Sequence, residues 1–386
     1  MEDLELIKQK AENIFSVESL EEKLKSGRKL KIKFGADPSR PDLHLGHTVV
    51  LRVLKKFQDM GHEVIFVIGD FTGMIGDPSG RSKTRKQLTI EETKEAAKTY
   101  LKQVTKILDK EKIKIVYNSS WLEKLTLKDI ISLTSKYTVA RILERDDFKN
   151  RFENNLPLSM HEMLYPLLQG YDSVHLDADI EIGGSDQTFN LLVGRNLKKD
   201  YGKEEQVVIT FPLLVGLDGK EKMSKSLDNY IGIDESPEFM YEKAMRIPDN
   251  LLFDYFRLTT DLDDKIIENI ISKDIVEAHK MYAREIIKMY HGEKYIKCAS
   301  DRYDAIASGK IPENIEVKKI NHERIEICKL LVSIGFANSN SEARRMVESK
   351  GVKINNITVE DYRKIIEIKD GIVISFGKRK MLKIVN

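Results

Sequence analysis

The first half of the chain alternates short apolar runs with amphipathic stretches that have a helical period. Apolar runs typical of buried strands lie at residues 30–37, 62–73, 112–121 and 206–216, and helical stretches lie at 47–61 and 89–108. Alternation of this kind predicts a parallel sheet covered by helices. A mainly helical stretch interrupts the pattern before the last of these strands. We therefore expect an α/β domain over residues 1–230, with a helical insertion at about 122–170.

The second half of the chain changes to helices and then to a small mixed module. Ser236 and Pro237 have the residue types of a helix start, and helical periodicity continues from there without strands. The stretch 307–323 has the composition of a linker, and after it comes a helix followed by short β segments. These patterns predict a helical domain over 231–318 and a small α+β domain over 322–386.

Composition narrows the class of protein. The chain has 386 residues, of which 41% are hydrophobic and 33% charged, so it can bury sizeable cores. Its 64 basic and 62 acidic residues nearly cancel, which argues against a general nucleic-acid coat but allows a local basic patch. Cys298 and Cys328 form no CxxC motif and suit a reducing compartment. No apolar run approaches the roughly 18 residues of a membrane span, and the N-terminus has no signal-peptide core, so we expect a cytoplasmic protein.

Two short motifs could carry chemistry. HLGH, residues 44–47, follows the first strand and opens the first helix, where a helix N-terminus attracts phosphate. His44 and His47 can face one side of that helix, and Gly46 would let a flat base approach the backbone. KMSKS, residues 222–226, follows the last predicted strand. Taken singly, the first could be two ordinary histidines and the second a solvated loop. Both follow strands of one sheet, however, and should meet over one crevice.

Two alternative sites are excluded by their sequences. HEMLY, residues 161–165, begins like a zinc-protease helix, but Tyr165 occupies the position of the second metal ligand. GDPSGRSK, residues 76–83, is rich in glycine but lacks the GK[ST] ending of a Walker phosphate loop. We therefore expect neither a zinc site nor a Walker-type nucleotide site.

A polar stripe marks the end of the helical insertion. Tyr165, Gln169 and Asp172 lie at i, i+4 and i+7, which is one face of a helix whose other sides are apolar. A buried polar stripe needs hydrogen-bond partners. An amino-acid substrate with an ammonium group and a distal hydroxyl would supply them, and so would a structural polar network.

The pair HLGH and KMSKS, in this order, resembles class I aminoacyl-tRNA synthetases. The pattern Y-x-x-x-Q-x-x-D followed by GGSDQ, together with GADPSRPDLHLGH and GDFTGMIGDPSG, resembles the bacterial tyrosyl branch that keeps a full KMSKS. The tail CKLLVSIGFANSNSEARRMVESKGVKIN resembles the S4 RNA-binding module. The resemblance spans nearly the entire chain. It implies a Rossmann-like catalytic domain, a helical anticodon-binding-type domain and an S4-like domain.

The resemblance implies an activity and its partners. An enzyme of this branch activates L-tyrosine with ATP, releases pyrophosphate, and transfers the tyrosine to the 3′ end of tRNA(Tyr). ATP is then a substrate, Mg²⁺ accompanies its phosphates, and no metal site made by protein side chains is expected. The resemblance also implies a homodimer whose two-fold contact is the helical insertion, without attachment to a membrane.

The resemblance also assigns roles to individual positions. The implied catalytic residues are Ser39, His44, His47, Lys222 and Lys225. The implied ATP contacts are Gly35, Asp37, Gly46, Asp186, Gln187, Met223, Ser224 and Lys225. The implied tyrosine contacts are Asp77, Tyr165, Gln169, Asp172 and Gln187, and among them Asp172 would accept a hydrogen bond from the substrate hydroxyl. In the tail, the basic residues Arg344, Arg345, Lys350 and Lys353 predict contacts with tRNA phosphates.

One position departs from the family pattern, and three other functions stay open. Some tyrosyl enzymes place a second tyrosine against the substrate hydroxyl where this chain has Lys33, which could pair with Asp172 or contact the hydroxyl itself. A tryptophanyl synthetase shares the fold and both motifs, but an indole has no phenol for Asp172 to accept. A non-catalytic S4-type RNA-binding protein would not need intact HLGH and KMSKS motifs. A small nucleotidylyltransferase carries HxGH but lacks the helical and RNA-binding extension.

Overall fold

The computed structural model describes residues 2–37, 43–78, 90–308, 310–311, 315–320, 322–377 and 380–385. Parts of GADPSRPDLHLGH (38–42) and of the predicted linker (309, 312–314 and 321) fall outside these residues, and so do two further features. One is Ser39, and the other is the stretch 79–89, which contains the end of GDPSGRSK and the first residue of the second predicted helix. The chain divides into two compact units, Met1–Glu235 with Lys243–Tyr282 and Ser236–Glu242 with Ala283–Asn386.

The first unit is built on a six-stranded sheet. Its strands are β1 (Asn13–Phe15), β2 (Lys31–Ala36), β3 (Glu63–Ile68), β4 (Ile113–Tyr117), β5 (Ile180–Gly184) and β6 (Val207–Phe211). Their order across the sheet is β1-β6-β5-β2-β3-β4, and all neighbours are parallel except β1 with β6. The predicted α/β fold with a parallel sheet is therefore confirmed. The order reverses between β2 and β5, which is where a ligand crevice forms in such sheets.

In the first unit, each segment predicted as a strand contains one observed strand, and two observed strands, β1 and β5, were not predicted. β1 has three residues and lies at the sheet edge. β5 is central and almost wholly buried, but it carries a charged residue, Glu181. Glu181 lies directly beside Lys33 of β2 in the parallel register. Opposite charges on neighbouring strands allow both residues to enter the core.

Helices cover the sheet and fill the insertion. They are α1 (Glu2–Lys10), α2 (Val17–Lys25), α3 (Leu45–Asp59), α4 (Thr72–Ile75), α5 (Ile90–Val104), α6 (Ser119–Leu122), α7 (Leu127–Thr134), α8 (Val139–Ile142), α9 (Asp146–Glu153), α10 (Met160–Leu176) and α11 (Thr188–Asp200). α3 begins two residues earlier than predicted, because His44 has an extended backbone and serves as its N-cap. α10 begins after Ser159, whose N–H donates to the Glu162 carboxylate at 3.0 Å.

A buried ion pair fastens α9 to α10 inside the insertion. Arg151 and Glu162 are only 1% and 2% exposed. The guanidinium Nη1 and Nη2 donate to the two carboxylate oxygens at 2.8 and 2.9 Å, and Nε donates to the Pro157 carbonyl at 3.0 Å. A bidentate pair fixes the orientation of both partners. It therefore holds the start of the helix that carries the predicted polar stripe.

After β6 the chain continues as helices. They are α12 (Pro237–Ala244), α13 (Leu252–Thr259), α14 (Asp264–Lys273), α15 (Ile275–Tyr290) and α16 (Ile296–Ala307). The predicted start of α12 is confirmed by a hydrogen bond from the Phe239 N–H to Ser236 Oγ at 3.4 Å. None of the helices in the described parts of the chain combines the length and hydrophobicity that crossing a lipid bilayer requires.

The end of the chain forms a small mixed structure in the second unit. Its helices are α17 (Ile327–Ser333) and α18 (Asn340–Glu348), and its strands are β7 (Glu316–Lys319), β8 (Arg324–Glu326), β9 (Val352–Ile354), β10 (Ile357–Thr358), β11 (Ile365–Glu367), β12 (Val373–Phe376) and β13 (Lys380–Val385). Five strands form a sheet in the order β10-β9-β12-β13-β7, and β11 pairs with β8. β7 lies inside the stretch predicted as a linker, and it was not expected from the sequence.

Candidate active site

The HLGH segment forms the start of α3 at the carboxyl end of β2. The His44 N–H donates to His47 Nδ1 at 3.2 Å, and the two ring centroids are 3.9 Å apart. Burial lowers the pKa of His44 to about 2 and that of His47 to about 4, so both rings are neutral near pH 7. Among the described residues, the buried Nδ1 atom of His44 has no hydrogen-bond partner. The pair can therefore offer a ring nitrogen to a ligand without adding charge.

The KMSKS segment forms a loop against HLGH. Val215 and Lys222 form a β-bridge, and the Met223 N–H donates to the Leu214 carbonyl at 2.7 Å. Met223 is buried, and its Cβ would lie 3.7 Å from a Cβ added at Gly46. That separation is ordinary van der Waals contact, so Gly46 lies directly beside the loop, while the tighter neighbour of an added Cβ would be the His44 ring at 3.1 Å. The structure brings the two motifs into contact.

The chain just beyond the loop is also tied to the HLGH segment. The Leu45 N–H donates to the Ile231 carbonyl at 3.0 Å, and the Ile233 N–H donates to the Leu43 carbonyl at 3.2 Å. These bonds run between the segment before α3 and the segment after KMSKS. Together with the β-bridge at the other end, they fix both ends of the loop.

The lysines and serines of the loop have distinct surroundings. The Lys222 ammonium lies 2.8 Å from Asp186 Oδ2, just beyond β5. Ser224 caps a short turn formed by Lys225–Leu227, because its hydroxyl accepts the Ser226 N–H at 3.3 Å. Lys222 is thus directed to the end of β5, and the serines shape the turn that carries Lys225.

Asn229 organises the loop and was not identified from the sequence. It is only 3% exposed. Its Oδ1 accepts the Ser224 N–H at 2.7 Å, while its Nδ2 donates to Asp218 Oδ2 at 2.7 Å and to the Lys222 carbonyl at 3.2 Å. Gly219 beside Asp218 has φ +73°, a conformation that favours glycine. An asparagine after a lysine-rich turn gives no distinctive sequence signal.

Tyr165 and Asp37 meet below the crevice. The Tyr165 hydroxyl donates to Asp37 Oδ2 at 2.8 Å, and the Thr72 hydroxyl donates to Asp37 Oδ1 at 2.8 Å. A Cβ at Gly69 would overlap the side chains of Asp37 and Thr72, so this position has room only for glycine. Burial and the neighbouring Asp37 raise the pKa of Tyr165 well above its ordinary value. Tyr165 therefore acts as a neutral hydrogen-bonding group.

Asp172 lies at the far end of the same network. It is 3% exposed and accepts hydrogen bonds from Trp121 Nε1 at 2.8 Å and Asn118 Nδ2 at 3.3 Å. Asn118 Nδ2 also donates to the Thr72 hydroxyl at 3.0 Å, which continues the network towards Asp37. Burial raises the pKa of Asp172 to about 7, against the opposing effects of Lys33, Trp121 and Asn118. Thr72, Asn118 and Trp121 were not identified from the sequence, because long-range hydrogen bonds leave no local pattern.

The sequence left two roles open for Lys33, a pair with Asp172 or a contact with the substrate hydroxyl, and the structure gives it a different ionic partner. Its ammonium lies 2.7 Å from Glu181 Oε1, and this pair is almost completely buried. This choice of partner has a physical reason. The strand register places Glu181 directly beside Lys33, and the sequence pattern does not predict β5 as a strand.

A third cluster joins the end of β5 to Asp77. Gln187 Nε2 donates to Asp77 Oδ2 at 2.7 Å, and Asn190 Nδ2 donates to Gln187 Oε1 at 3.0 Å. The Arg145 guanidinium approaches Asp77 to 3.9 Å and donates to Asn190 Oδ1 at 3.2 Å. Arg145 and Asn190 were not identified from the sequence. The cluster presents carboxylate and amide oxygens that can accept hydrogen bonds from an ammonium group.

The other two predicted pocket residues lie near these clusters. Gly35 is exposed near the end of β2, and a Cβ added there would meet only open space. Gln169 is half-buried on α10, and its carbonyl accepts a hydrogen bond from Lys33 Nζ at 3.0 Å. Among the described residues, no group of three or more His, Cys, Asp or Glu is placed to hold a metal ion.

The predicted tRNA contacts lie on the surface of the second unit. Arg344 and Arg345 are exposed on α18, Lys350 follows that helix, and Lys353 is exposed in β9. Two of the four are paired with carboxylates: Arg344 with Glu348 at 2.7 Å, and Lys350 with Glu360 at 2.9 Å. Exposed ion pairs of this kind contribute little to stability.

Comparison with known proteins identifies the class. A family model described as "tRNA synthetases class I (W and Y)" matches residues 25–307, and one described as "Tyrosine--tRNA ligase SYY-like C-terminal domain" matches residues 307–381. The fold and the adjoining HLGH and KMSKS segments are those of a class I aminoacyl-tRNA synthetase. The tyrosine--tRNA ligase of Deinococcus radiodurans is 49% identical over 395 residues, covering 100% of this chain and 96% of that protein. That of Aquifex aeolicus is 48% identical over 387 residues, covering 100% and 99%. The chain belongs to the tyrosine--tRNA ligase family.

Solved structures show the same fold. A C-terminally truncated mitochondrial tyrosyl-tRNA synthetase from Aspergillus nidulans has a TM-score of 0.66 and 23% identity, covering 79% of this chain and 94% of that chain. A tyrosyl-tRNA synthetase from Archaeoglobus fulgidus, complexed with L-tyrosine, has a TM-score of 0.64 and 23% identity, covering 76% and 98%. The solved structures confirm the predicted catalytic fold, and the full-length relatives confirm the family predicted from the sequence.

Proposed function

We propose that the chain is a tyrosine--tRNA ligase. It activates L-tyrosine with ATP, forming tyrosyl-adenylate and pyrophosphate, and then transfers the tyrosine to the 3′ end of tRNA(Tyr). The observation that carries the proposal is full-length similarity to tyrosine--tRNA ligases, in a chain whose HLGH and KMSKS segments adjoin at the carboxyl ends of parallel strands. An enzyme that charges tRNA acts where translation takes place, so the proposal includes a cytoplasmic location.

The first step requires positioning and charge stabilisation. The tyrosine carboxylate attacks the α-phosphorus of ATP, a new oxygen–phosphorus bond forms, and the bond to pyrophosphate breaks. Such transfers depend mainly on alignment and on donors directed at the phosphate oxygens. His44 and His47 at the α3 N-terminus supply neutral donors, and Lys222 and Lys225 supply positive charge to the leaving pyrophosphate. In the structure Lys222 pairs with Asp186, which keeps the ammonium beside the crevice before nucleotide binds.

The nucleotide enters this step as its magnesium complex. Mg²⁺ keeps several waters and binds chiefly through phosphate oxygens in such sites. The oxygen donors that fit this arrangement are the carboxylates near the crevice, Asp37 and Asp186. Both are already engaged in the structure, by Tyr165 and by Lys222, so the phosphates would supply most of the ligands. The prediction that the enzyme needs no zinc stays a prediction.

The amino-acid end of the pocket fits tyrosine. The oxygens of Asp77, Tyr165, Gln169 and Gln187 are the proposed acceptors for the α-ammonium group. Asp172, about 3% exposed at the end of the Trp121–Asn118 network, is the proposed acceptor for the phenol. A buried carboxylate that must bond a hydroxyl rejects an analogue without one, because its polar atom is left unpaired. This arrangement would favour tyrosine over phenylalanine and tryptophan.

The proposal also covers the partners. Arg344, Arg345, Lys350 and Lys353 offer exposed positive charge to tRNA phosphates. The insertion exposes large apolar side chains that a second copy of the chain could cover; they are Leu127, Ile131, Val139, Phe152 and Met160, each more than half exposed. A cavity of about 270 Å³ between α4, α7 and α10 has an almost wholly apolar lining. Exposed apolar surface of this kind marks interfaces, so the insertion is the proposed contact of a homodimer.

Pyrophosphate exchange into ATP tests the function directly. Each of the twenty amino acids is supplied in turn, and tyrosine is expected to support exchange far above the rest. Exchange with tryptophan and not with tyrosine would assign the chain to the tryptophanyl enzymes. Absence of exchange with every amino acid, while RNA binding persists, would leave a non-catalytic RNA-binding protein.

A further inference from the structure

Lys33 on β2 has a fully satisfied ammonium group in the core. The side chain is 0% exposed. Its Nζ donates to the Gln169 carbonyl at 3.0 Å, to Ser173 Oγ at 2.7 Å and to Glu181 Oε1 at 2.7 Å. An ammonium has three N–H donors, and three acceptors are present. Lys33 therefore has no donor left for a bound substrate.

Glu181 on β5 is equally well satisfied. It is 1% exposed, and its Oε2 accepts hydrogen bonds from Ser173 Oγ at 2.7 Å and from Gln206 Nε2. A Cβ at Gly194 would lie 3.0 to 3.2 Å from atoms of Gln206, Glu181 and Ser173, so α11 leaves just enough room for the cluster. A buried charge pair is expensive to assemble unless all its atoms are bonded, as they are here.

The pair contacts the substrate helix on both sides of Asp172. Gln169 and Ser173 are one helical turn apart on α10, and Asp172 lies between them. Lys33 thus holds the turn of α10 from which the Asp172 carboxylate projects. Its positive charge also lowers the pKa of Asp172, and the negative charge of Glu181 raises it by a smaller amount. The other groups facing Asp172 are the uncharged donors Trp121 and Asn118.

We propose that the Lys33–Glu181 pair is a positioning device for tyrosine selectivity, acting through α10 on Asp172 instead of touching the substrate hydroxyl. The inference rests on the proposed function, because it concerns the same pocket. Lys33 sets the place and the charge state of the acceptor, and Glu181 anchors Lys33 in the core. Some tyrosyl enzymes have a tyrosine side chain at this position that contacts the substrate hydroxyl. In this chain Lys33 acts on the substrate indirectly, through its charge and through α10.

Three variants test this role. Glu181→Gln keeps the shape of its side chain and leaves the Lys33 charge without its counter-ion. Lys33→Met with Glu181→Gln removes both charges together, so that no ion is stranded in the core. Lys198→Met is the matched control, because Lys198 is also buried (2% exposed) and is bonded to the Ala178 carbonyl, but it pairs with Asp177 at 3.1 Å. Thermal unfolding shows which variants are folded before kinetics are measured.

The readout is kcat/KM for tyrosine in pyrophosphate exchange, measured against pH and divided by kcat/KM for phenylalanine. The pH profile of kcat/KM reports groups of the free enzyme, here Asp172. The double variant loses both charges, and because the effect of Lys33 on Asp172 is the larger one, its acid limb should move upward by less than about one pH unit. Its tyrosine-to-phenylalanine ratio should fall severalfold near neutrality. Glu181→Gln should move the limb downward, because it removes only the negative charge. The control should leave both quantities unchanged.

General destabilisation would not move the acid limb of the pH profile in opposite directions in the two pocket variants. Opposite shifts would therefore support the proposed role. If both variants fold and keep the wild-type profile and ratio, the pair is merely structural and the inference is wrong. If the double variant does not fold, Glu181→Gln alone decides by the direction of its shift. Failure of the wild type to use tyrosine at all would instead contradict the proposed function, so the two failures are distinguishable.

Discussion

Asp172→Asn should change the pH dependence of stability in a direction that is unusual for an aspartate. Most paired aspartates have lowered pKa values and stabilise the folded state at neutral pH. Asp172 has its pKa raised to about 7 by burial, whereas an aspartate in an unfolded chain titrates near 4. The folded protein therefore keeps a proton that the unfolded chain loses between these pH values. Stability falls as the pH rises through this window, and the full cost is present above about pH 7.

The magnitude follows from the width of that window. A shift of about three pKa units corresponds to roughly 4 kcal/mol of destabilisation above pH 7. Asparagine carries no charge, so the variant escapes this cost. It retains an oxygen for Trp121 Nε1, but its amide group faces Asn118 Nδ2, which loses a hydrogen bond worth about 1 kcal/mol. We expect the variant to be about as stable as the wild type at about pH 5 and more stable at about pH 8, a relative change of about 3 kcal/mol.

Trp121 makes the assay direct, because it is the chain's only tryptophan and it contacts Asp172. Urea unfolding is followed by its fluorescence at a series of pH values. Asp254→Asn, at an exposed position on α13, is the control and should track the wild type throughout. Parallel stability curves for Asp172→Asn and the wild type would refute the raised pKa. They would also remove the electrostatic basis for the coupling between Asp172 and Lys33.

Three further outcomes are expected. Lys225→Ala should slow pyrophosphate exchange about 100-fold and leave tyrosine binding, measured by calorimetry, unchanged. The ammonium acts on charge that develops only in the transition state. Equal losses in exchange rate and in tyrosine affinity would contradict this role. Arg345→Glu should leave pyrophosphate exchange intact and weaken tRNA charging. In a plot of log tRNA affinity against log salt concentration, the slope should fall by about 1 for each phosphate that the protein no longer neutralises. Arg151→Met should destabilise the protein by about 3–5 kcal/mol in urea titrations, because the buried Glu162 carboxylate then has no ionic partner. The double variant Arg151→Met with Glu162→Leu should recover most of that loss.

The sequence predicted the α/β fold and the adjoining motifs because both depend on local patterns. Apolar runs identify β3 and β6, and HLGH and KMSKS are short contiguous segments. β5 escaped prediction because Glu181 interrupts its apolar run, and the residue that neutralises it lies 148 positions away on β2. The positions of Lys33, Asn118 and Trp121 depend on strand register and on side-chain packing between distant segments. Those relationships are properties of the folded chain and leave no periodic trace in the sequence.

The tethering of the KMSKS loop at both ends has a consequence for how homologous chains can diverge. The Val215–Lys222 bridge fixes one end, and the hydrogen bonds of Ile231 and Ile233 fix the other. Insertions or deletions at the tip of the turn around Gly219 cost little closure entropy, provided that Asp218 keeps its hydrogen bond to Asn229. A length change between Lys222 and Ile231 would shift the catalytic lysines relative to the helix start. Natural variation in loop length should therefore concentrate on the tip, while the segment from Lys222 to Ile231 keeps a constant residue count.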